Sequence, residues 1–145
     1  MKINIRVAQP NDSAAVADLI NQMDYPVSVS EAKRRIQRYT QPSYLLWVAL
    51  QDEEVVGYIA LHIYDVLHLP APEGRVISFC VNEKRRGTGV GTKLLLEAET
   101  YFKEQGCYKI VFNSNLKRPD THQYYLNRGY QFTSKHFAKF LMGSK

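Results

Sequence analysis

Three glycines alternate with Thr88 and Val90 in the run Arg86-Gly87-Thr88-Gly89-Val90-Gly91, which follows Lys84-Arg85 and opens into Thr92-Lys93-Leu94-Leu95. These residues at this spacing suit phosphate. Glycines remove Cβ atoms where a ligand must approach the backbone, and a helix starting near Thr92 adds amide donors and the positive end of its dipole. The run is not a Walker loop, since no Gly-Lys-Ser/Thr closes it, and it misses the G-x-G-x-x-G of dinucleotide folds. Taken alone, the glycines fit a tight turn into a helix equally well.

The elements around this run have to position it. Residues 4–8 alternate polar and apolar side chains and read as a strand; Asn11 or Asp12 then caps a helix with Ala15, Val16, Leu19 and Ile20 on one face. Ser28 and Glu31 fit a capping box for a second helix, with Ile36 and Tyr39 turned inward and Lys33, Arg34 and Arg38 toward solvent. Apolar runs at 44–50 and 55–64, joined through Asp52-Glu53-Glu54, read as a hairpin, and a strand at 76–81 leads into the glycine loop. Leu94, Leu95, Ala98, Tyr101 and Phe102 give the next helix an apolar face, which Gly106 ends. A strand at 109–112, a short helix at 119–128 closed by Gly129, and strands at 130–132 and 136–141 complete the chain. The expected fold is α/β, with a mixed central sheet and the order β-α-α-β-β-β-α-β-α-β-β.

Length and composition set the outer bounds. A chain of 145 residues is read as one domain, 1–145, with a core of its own, and no apolar run approaches the roughly 20 residues of a membrane span. The N-terminus reads as a strand and not as a secretion signal, so a cytoplasmic protein is expected, without a membrane partner. Cys80 and Cys107 lie inside apparent elements with no C-x-x-C or histidine at ligand spacing, so buried reduced thiols are expected, with no metal and no disulfide. The net charge of +5 gathers at Lys33-Arg34-Arg35, Lys84-Arg85-Arg86 and Lys117-Arg118, two of which flank proposed cofactor segments. No recognition-helix or aromatic-platform pattern accompanies them, and a nucleic-acid partner is not expected.

A second motif lies about thirty residues beyond the glycine loop: Tyr124-Tyr125-x-x-x-Gly129-Tyr130. Arg86-x-x-Gly89-x-Gly91 resembles the acyl-CoA loop of the GNAT (GCN5-related N-acetyltransferase) superfamily, and the tyrosine motif resembles that family's aromatic-Tyr-x-x-x-Gly-Phe/Tyr. Residues 5–12, 21–28 and 55–58 resemble its N-terminal half, so the likeness spans nearly the whole chain. The spacing Ser114-Asn115-x-x-Arg118-x-x-x-His122-x-x-Tyr125 looks nearest to the small-molecule aminoacetyltransferases of the aminoalkylphosphonate type.

Acetyl transfer to an amine needs a polarised thioester carbonyl, an unprotonated amine and a proton for the departing thiolate. The resemblance implies acetyl-CoA as donor, with pantetheine alongside Phe79, Cys80 and Val81 and an amide near Cys80 polarising the carbonyl. It puts the pyrophosphate on Arg86, Gly87, Thr88, Gly89, Val90, Gly91 and Thr92, and gives Asn115 and Arg118 to pantetheine or a phosphate. Tyr125 takes the general-acid position. Read without the family, Tyr125 is a packing residue, His122 a surface or structural histidine, and Asn115 and Arg118 loop-capping or solvated groups. Arg118 also stands where many members have asparagine. Many members carry a glutamate base three residues before the position of Val81, where this chain has Ser78. Glu73, His62, His68, Asp24 and water remain as bases.

The expected function is N-acetylation of a small-molecule amine by direct attack in a ternary complex, since no nucleophile for a covalent intermediate is evident and Cys80 lacks a basic partner. Residues 67–74, stiffened by Pro70 and Pro72, favour a covered acceptor side and a small substrate. The alternatives are a protein N-terminal or lysine acetyltransferase, and a coenzyme A-binding regulatory module. Tyr130, Phe132, Phe137 and Phe140 on C-terminal edge strands suggest a homodimer.

Overall fold

A computed structural model describes residues 2–112, 119–133 and 136–143. They fall into two units, 1–113 and 114–145. The first unit contains β1 (Ile3–Val7), α1 (Ser13–Gln22), α2 (Val29–Arg38), β2 (Tyr44–Gln51), β3 (Glu54–Tyr64), β4 (Glu73–Val81), α3 (Val90–Glu104) and β5 (Lys109–Val111). The strands lie side by side in chain order, antiparallel from β1 to β4, with β5 parallel to β4. A parallel neighbour requires a crossover, and α3 supplies it.

Local chemistry accounts for the connections. Asp52 and Glu53 both have positive φ, 51° and 65°, as a two-residue hairpin turn matched to strand twist requires, and Gln51 pairs with Glu54 across it. Ser28 caps α2 by accepting the Glu31 amide at 3.1 Å. The reciprocal half of the expected capping box is not formed: the Glu31 carboxylate takes Arg34 and Arg35 instead, both at 2.9 Å. Two guanidinium partners outcompete one backbone amide.

Asp12 precedes α1 without capping it through its side chain. Its carboxylate accepts from Arg6 Nη1 at 2.8 Å and Nη2 at 3.0 Å, and from the Gln9 amide at 2.7 Å. The Arg6 guanidinium, with help from that amide and against the opposing effect of burial, holds the Asp12 carboxyl below the usual carboxylate range. The folded state therefore binds the Asp12 proton more weakly than the unfolded chain does. Its contribution is complete above about pH 4 and is lost as pH falls through the lowered folded value. Thermal melts of wild type and Asp12→Asn should differ by about 2 kcal/mol at pH 7, with the gap closing as the pH drops below 4.

The sheet's two faces carry separate cores. Val16 and Leu19 of α1 and Ile36 of α2 pack on Leu46, Val48, Tyr58, Ala60 and Cys80. On the other face Val90, Leu94, Ala98 and Phe102 of α3 pack on Val56, Ile59, Leu61 and Val76. Strand alternation sorts these sets, with register shifts between Ala49 and Leu50 and between Ala60 and Leu61 putting Val56 and Val76 on the α3 face. Gly74 is required by the second core, since a Cβ there would lie 2.5 Å from the Phe102 ring.

The second unit holds α4 (Pro119–Leu126), with Gly129 at φ 89° beyond it. The strands expected at 130–132 and 136–141 are not found among the described residues. Phe132, Phe137 and Leu141 are instead 73%, 89% and 90% exposed. Alternating apolar residues make a strand only where a neighbour completes the ladder, and no ladder reaches these segments.

Candidate active site

The glycine segment is a turn into α3. After a 3-10 turn at Glu83–Arg85, Gly87 and Gly89 adopt φ of 80° and 93°, and Gly89 is the N-cap of α3. Positive φ at both explains glycine there. A Cβ added at either would meet nothing within 4 Å, so the space beside both α-carbons is open. The first helical bond shown at this end runs from the Lys93 amide to the Gly89 carbonyl at 3.0 Å, which leaves the amides of Val90 and Gly91 directed out of the helix end. Arg86 is exposed beside them. An anion fits this arrangement.

Thr88 serves the turn itself. Its Oγ1 donates to the Arg85 carbonyl at 2.5 Å and accepts from Gln51 Nε2 at 3.4 Å. Gln51 is 1% exposed, and its Oε1 takes Arg85 Nη1 at 3.3 Å while Arg85 also reaches Glu54 at 3.2 Å. A buried amide at the end of β2 thus holds both arms of the loop, a role that sequence reasoning missed. The only available signal was a glutamine ending an apolar strand before a hairpin turn.

β4 leads into this turn with one open edge. β5 pairs only with Glu73, Gly74 and Arg75, so from Val76 onward that edge has no strand partner among the described residues. Asn82 donates to Val56 at 2.7 Å and Cys80 opposes Tyr58. Because amide direction alternates along an antiparallel strand, the Cys80 amide faces β3, and those of Phe79 and Val81 face the open edge. The backbone amides offered at that edge are therefore those flanking Cys80. The Cys80 thiol is buried in the α1–α2 core and donates to the Leu19 carbonyl at 3.4 Å, as expected of a core cysteine.

Ser78 and Cys80 share the sheet face that α1 and α2 cover in part. Ser78 Oγ lies 2.6 Å from Tyr58 Oη, and burial raises the Tyr58 phenol above its ordinary range, so it stays a neutral hydrogen-bonding group. Further along this face stand Tyr44, His62, Tyr64, Glu73 and Arg75. Tyr44 stacks on His62 with centroids 4.0 Å apart, His62 on Tyr64 at 5.1 Å, and Arg75 lies over the Tyr64 ring at 5.9 Å. Burial, and then the hydrogen bond to Glu73, raise the Tyr64 phenol above its usual range.

The base candidates separate in space. Glu73 is buried; it accepts from Tyr64 Oη and pairs with Arg75 at 3.9 Å and Lys109 at 3.8 Å. Asp24 is a turn residue after α1 at φ 65°, and His68 is exposed between β3 and β4. His62 sits on the β3 face beside the open end of β4.

In the second unit, Tyr125 is half-buried on α4, with edge-on ring contacts to Tyr124 at 5.4 Å and Tyr130 at 6.0 Å. The Tyr130 amide donates to the Tyr125 carbonyl at 3.2 Å, so the motif's Tyr-x-x-x-Gly-Tyr spacing closes the helix. His122 meets Phe132 edge-on at 5.6 Å, and the Arg128 guanidinium lies 3.9 Å over Tyr124. Asn115 and Arg118 lie outside the described residues. Among the described residues there is no group of three or more His, Cys, Asp or Glu able to hold a metal, and no helix long and apolar enough to cross a membrane.

Over 142 residues, 94% of this chain and 90% of the other, the sequence is 30% identical to an aminoalkylphosphonate N-acetyltransferase of Salmonella typhimurium. Its fold is similar to a transcriptional regulator from Bacillus halodurans, with a TM-score of 0.87 and 21% identity over 97% of this chain and 100% of that one. It is likewise similar to a GNAT family acetyltransferase from Staphylococcus aureus, with a TM-score of 0.82 and 23% identity over the same shares. The model of the acetyltransferase (GNAT) family matches residues 14–130, which include the glycine turn, the open edge of β4 and the Tyr125 motif, and the chain thus belongs to that family as an N-acetyltransferase.

Proposed function

We propose that residues 1–145 form one GNAT domain that transfers the acetyl group of acetyl-CoA to the primary amine of a small molecule by direct attack in a ternary complex. One observation carries this reading: the edge of β4 that has no strand partner among the described residues runs directly into an open, positively flanked turn at the N-terminus of α3. Pantetheine would add to the edge through the Phe79 and Val81 backbone beside Cys80. The pyrophosphate would take the amides of 87–92 and the charge of Arg86. Thr88 would support the turn and not the ligand, since its hydroxyl already has two partners. Asn115 and Arg118 keep their assignment to the cofactor, and Tyr125 its assignment as proton donor to sulfur, on their places in the motif. No metal takes part.

The name of the Salmonella relative makes an amine bearing a phosphonate the first acceptor to assay. A cytoplasmic location belongs to this proposal. A homodimer would cover exposed Phe137, Phe140 and Leu141, and sedimentation at micromolar protein reads it.

Calorimetry with coenzyme A tests the reading. Binding is expected at low salt and should weaken at moderate salt, as the pyrophosphate contact is largely electrostatic. An absence of heat at millimolar coenzyme A under both conditions would remove the acetyl-transfer assignment. Release of free thiol with an amine panel then separates a small-molecule enzyme from one acting on peptides.

A further inference from the structure

We infer that His62 is the general base of the reaction, accepting through Nε2, directly or across one water, the proton of the acceptor's ammonium group. The inference rests on the acetyl-transfer reading above and adds to it a residue that no family motif supplies.

The ring's orientation sets its chemistry. His62 Nδ1 lies 3.2 Å from the Ser43 carbonyl oxygen, which can only accept, so Nδ1 carries the hydrogen and Nε2 keeps its lone pair. Nε2 has no protein hydrogen-bond partner among the described residues. Stacking between Tyr44 and Tyr64 on neighbouring positions of the same face fixes the ring plane.

Its position fits the task. His62 pairs in register with Arg75, the last β4 residue that β5 engages, so the imidazole stands level with the point where β4 becomes open. Ser78, which replaces the familiar glutamate, pairs with Ala60, two residues away on the same strand face. The separation is about 7 Å along the strand, within reach of a bound amine or a bridging water. Glu73, the carboxylate on this patch, already has three partners.

The atoms balance as follows. The ammonium nitrogen gives one proton to Nε2, and its freed lone pair attacks the thioester carbon to form the C–N bond. Collapse breaks the C–S bond. A second proton leaves nitrogen as the departing sulfur takes one up, and the imidazolium returns its proton to solvent.

The ionisable groups facing His62 are Tyr44 from β2 with Tyr39, the C-cap of α2, edge-on behind it, Tyr64 on β3, and Arg75 with Glu73 on β4.

The experiment is kcat/KM against pH for an aminoalkylphosphonate acceptor, using wild type, His62→Gln and His62→Phe. Glutamine keeps a donor for Ser43, and phenylalanine keeps the stack. For wild type, kcat/KM should level off well below the amine's own pKa, because the bound ammonium hands its proton to the enzyme. In both variants it should fall about 100-fold at neutral pH and keep rising with unit slope toward the amine's own pKa, with acetyl-CoA affinity unchanged. A wild-type profile of unit slope throughout would overturn the assignment without any variant having to fold. Variants that retain the plateau and the wild-type rate would overturn it too. Wild-type protein that binds no acetyl-CoA would bring down the acetyl-transfer reading itself, and the base with it.

Discussion

Tyr125→Phe should lower kcat by about 100-fold or more while leaving the acetyl-CoA Kd and the melting temperature nearly unchanged. The substitution removes one hydroxyl and keeps the ring that meets Tyr124 and Tyr130 edge-on, so the packing of α4 with the following turn survives. On the proposed assignment, what goes is the proton for the coenzyme A thiolate. The loss should shrink with an acyl donor whose leaving thiol is more acidic, because such a thiolate departs without help. A chemistry-limited assay in which Tyr125→Phe turns over at the wild-type rate would leave Tyr125 as a packing residue. A parallel fall in melting temperature would show that the aromatic cluster, and not the proton, had been disturbed.

The parts of this protein that were legible in the sequence are those whose cause is local. The turn at Asp52-Glu53, the Ser28 cap and the glycine entry to α3 each depend on a few neighbouring residues, and each appears where its residue types put it. The stretches 130–132 and 136–141 show the limit of local reasoning: their alternation is real, but a strand also needs a partner, which a single segment cannot reveal. The site divides in the same way. The open turn at Gly87 and Gly89 could be read from spacing. That the amides of Phe79 and Val81, and not that of Cys80, face the open edge depends on the β3–β4 register. Gln51 escaped notice because its partners, Thr88 and Arg85, lie more than thirty residues away. His62 stood undistinguished among several bases until the register set it beside Arg75 and the Ser43 carbonyl fixed its tautomer.

Gly89→Ala and Gly106→Ala should separate the strain of a left-handed residue from the loss of a binding surface. The two glycines bracket α3, with φ of 93° before it and 78° after it, and an added Cβ meets nothing within 4 Å at either. Alanine should therefore cost about 1 kcal/mol of stability at each, through backbone conformation alone. Their effects on the donor should differ. At Gly89 the added methyl group enters the open side of the turn assigned to the pyrophosphate, and the shift in φ turns the amides of Val90 and Gly91 away from it. The acetyl-CoA Kd should rise at least tenfold, about 1.4 kcal/mol, while Gly106→Ala leaves it unchanged. Calorimetry and thermal melts on the two variants read both quantities. If they lose stability alike and bind acetyl-CoA alike, the anion lies elsewhere, and the glycines at 87 and 89 serve only to turn the chain into α3.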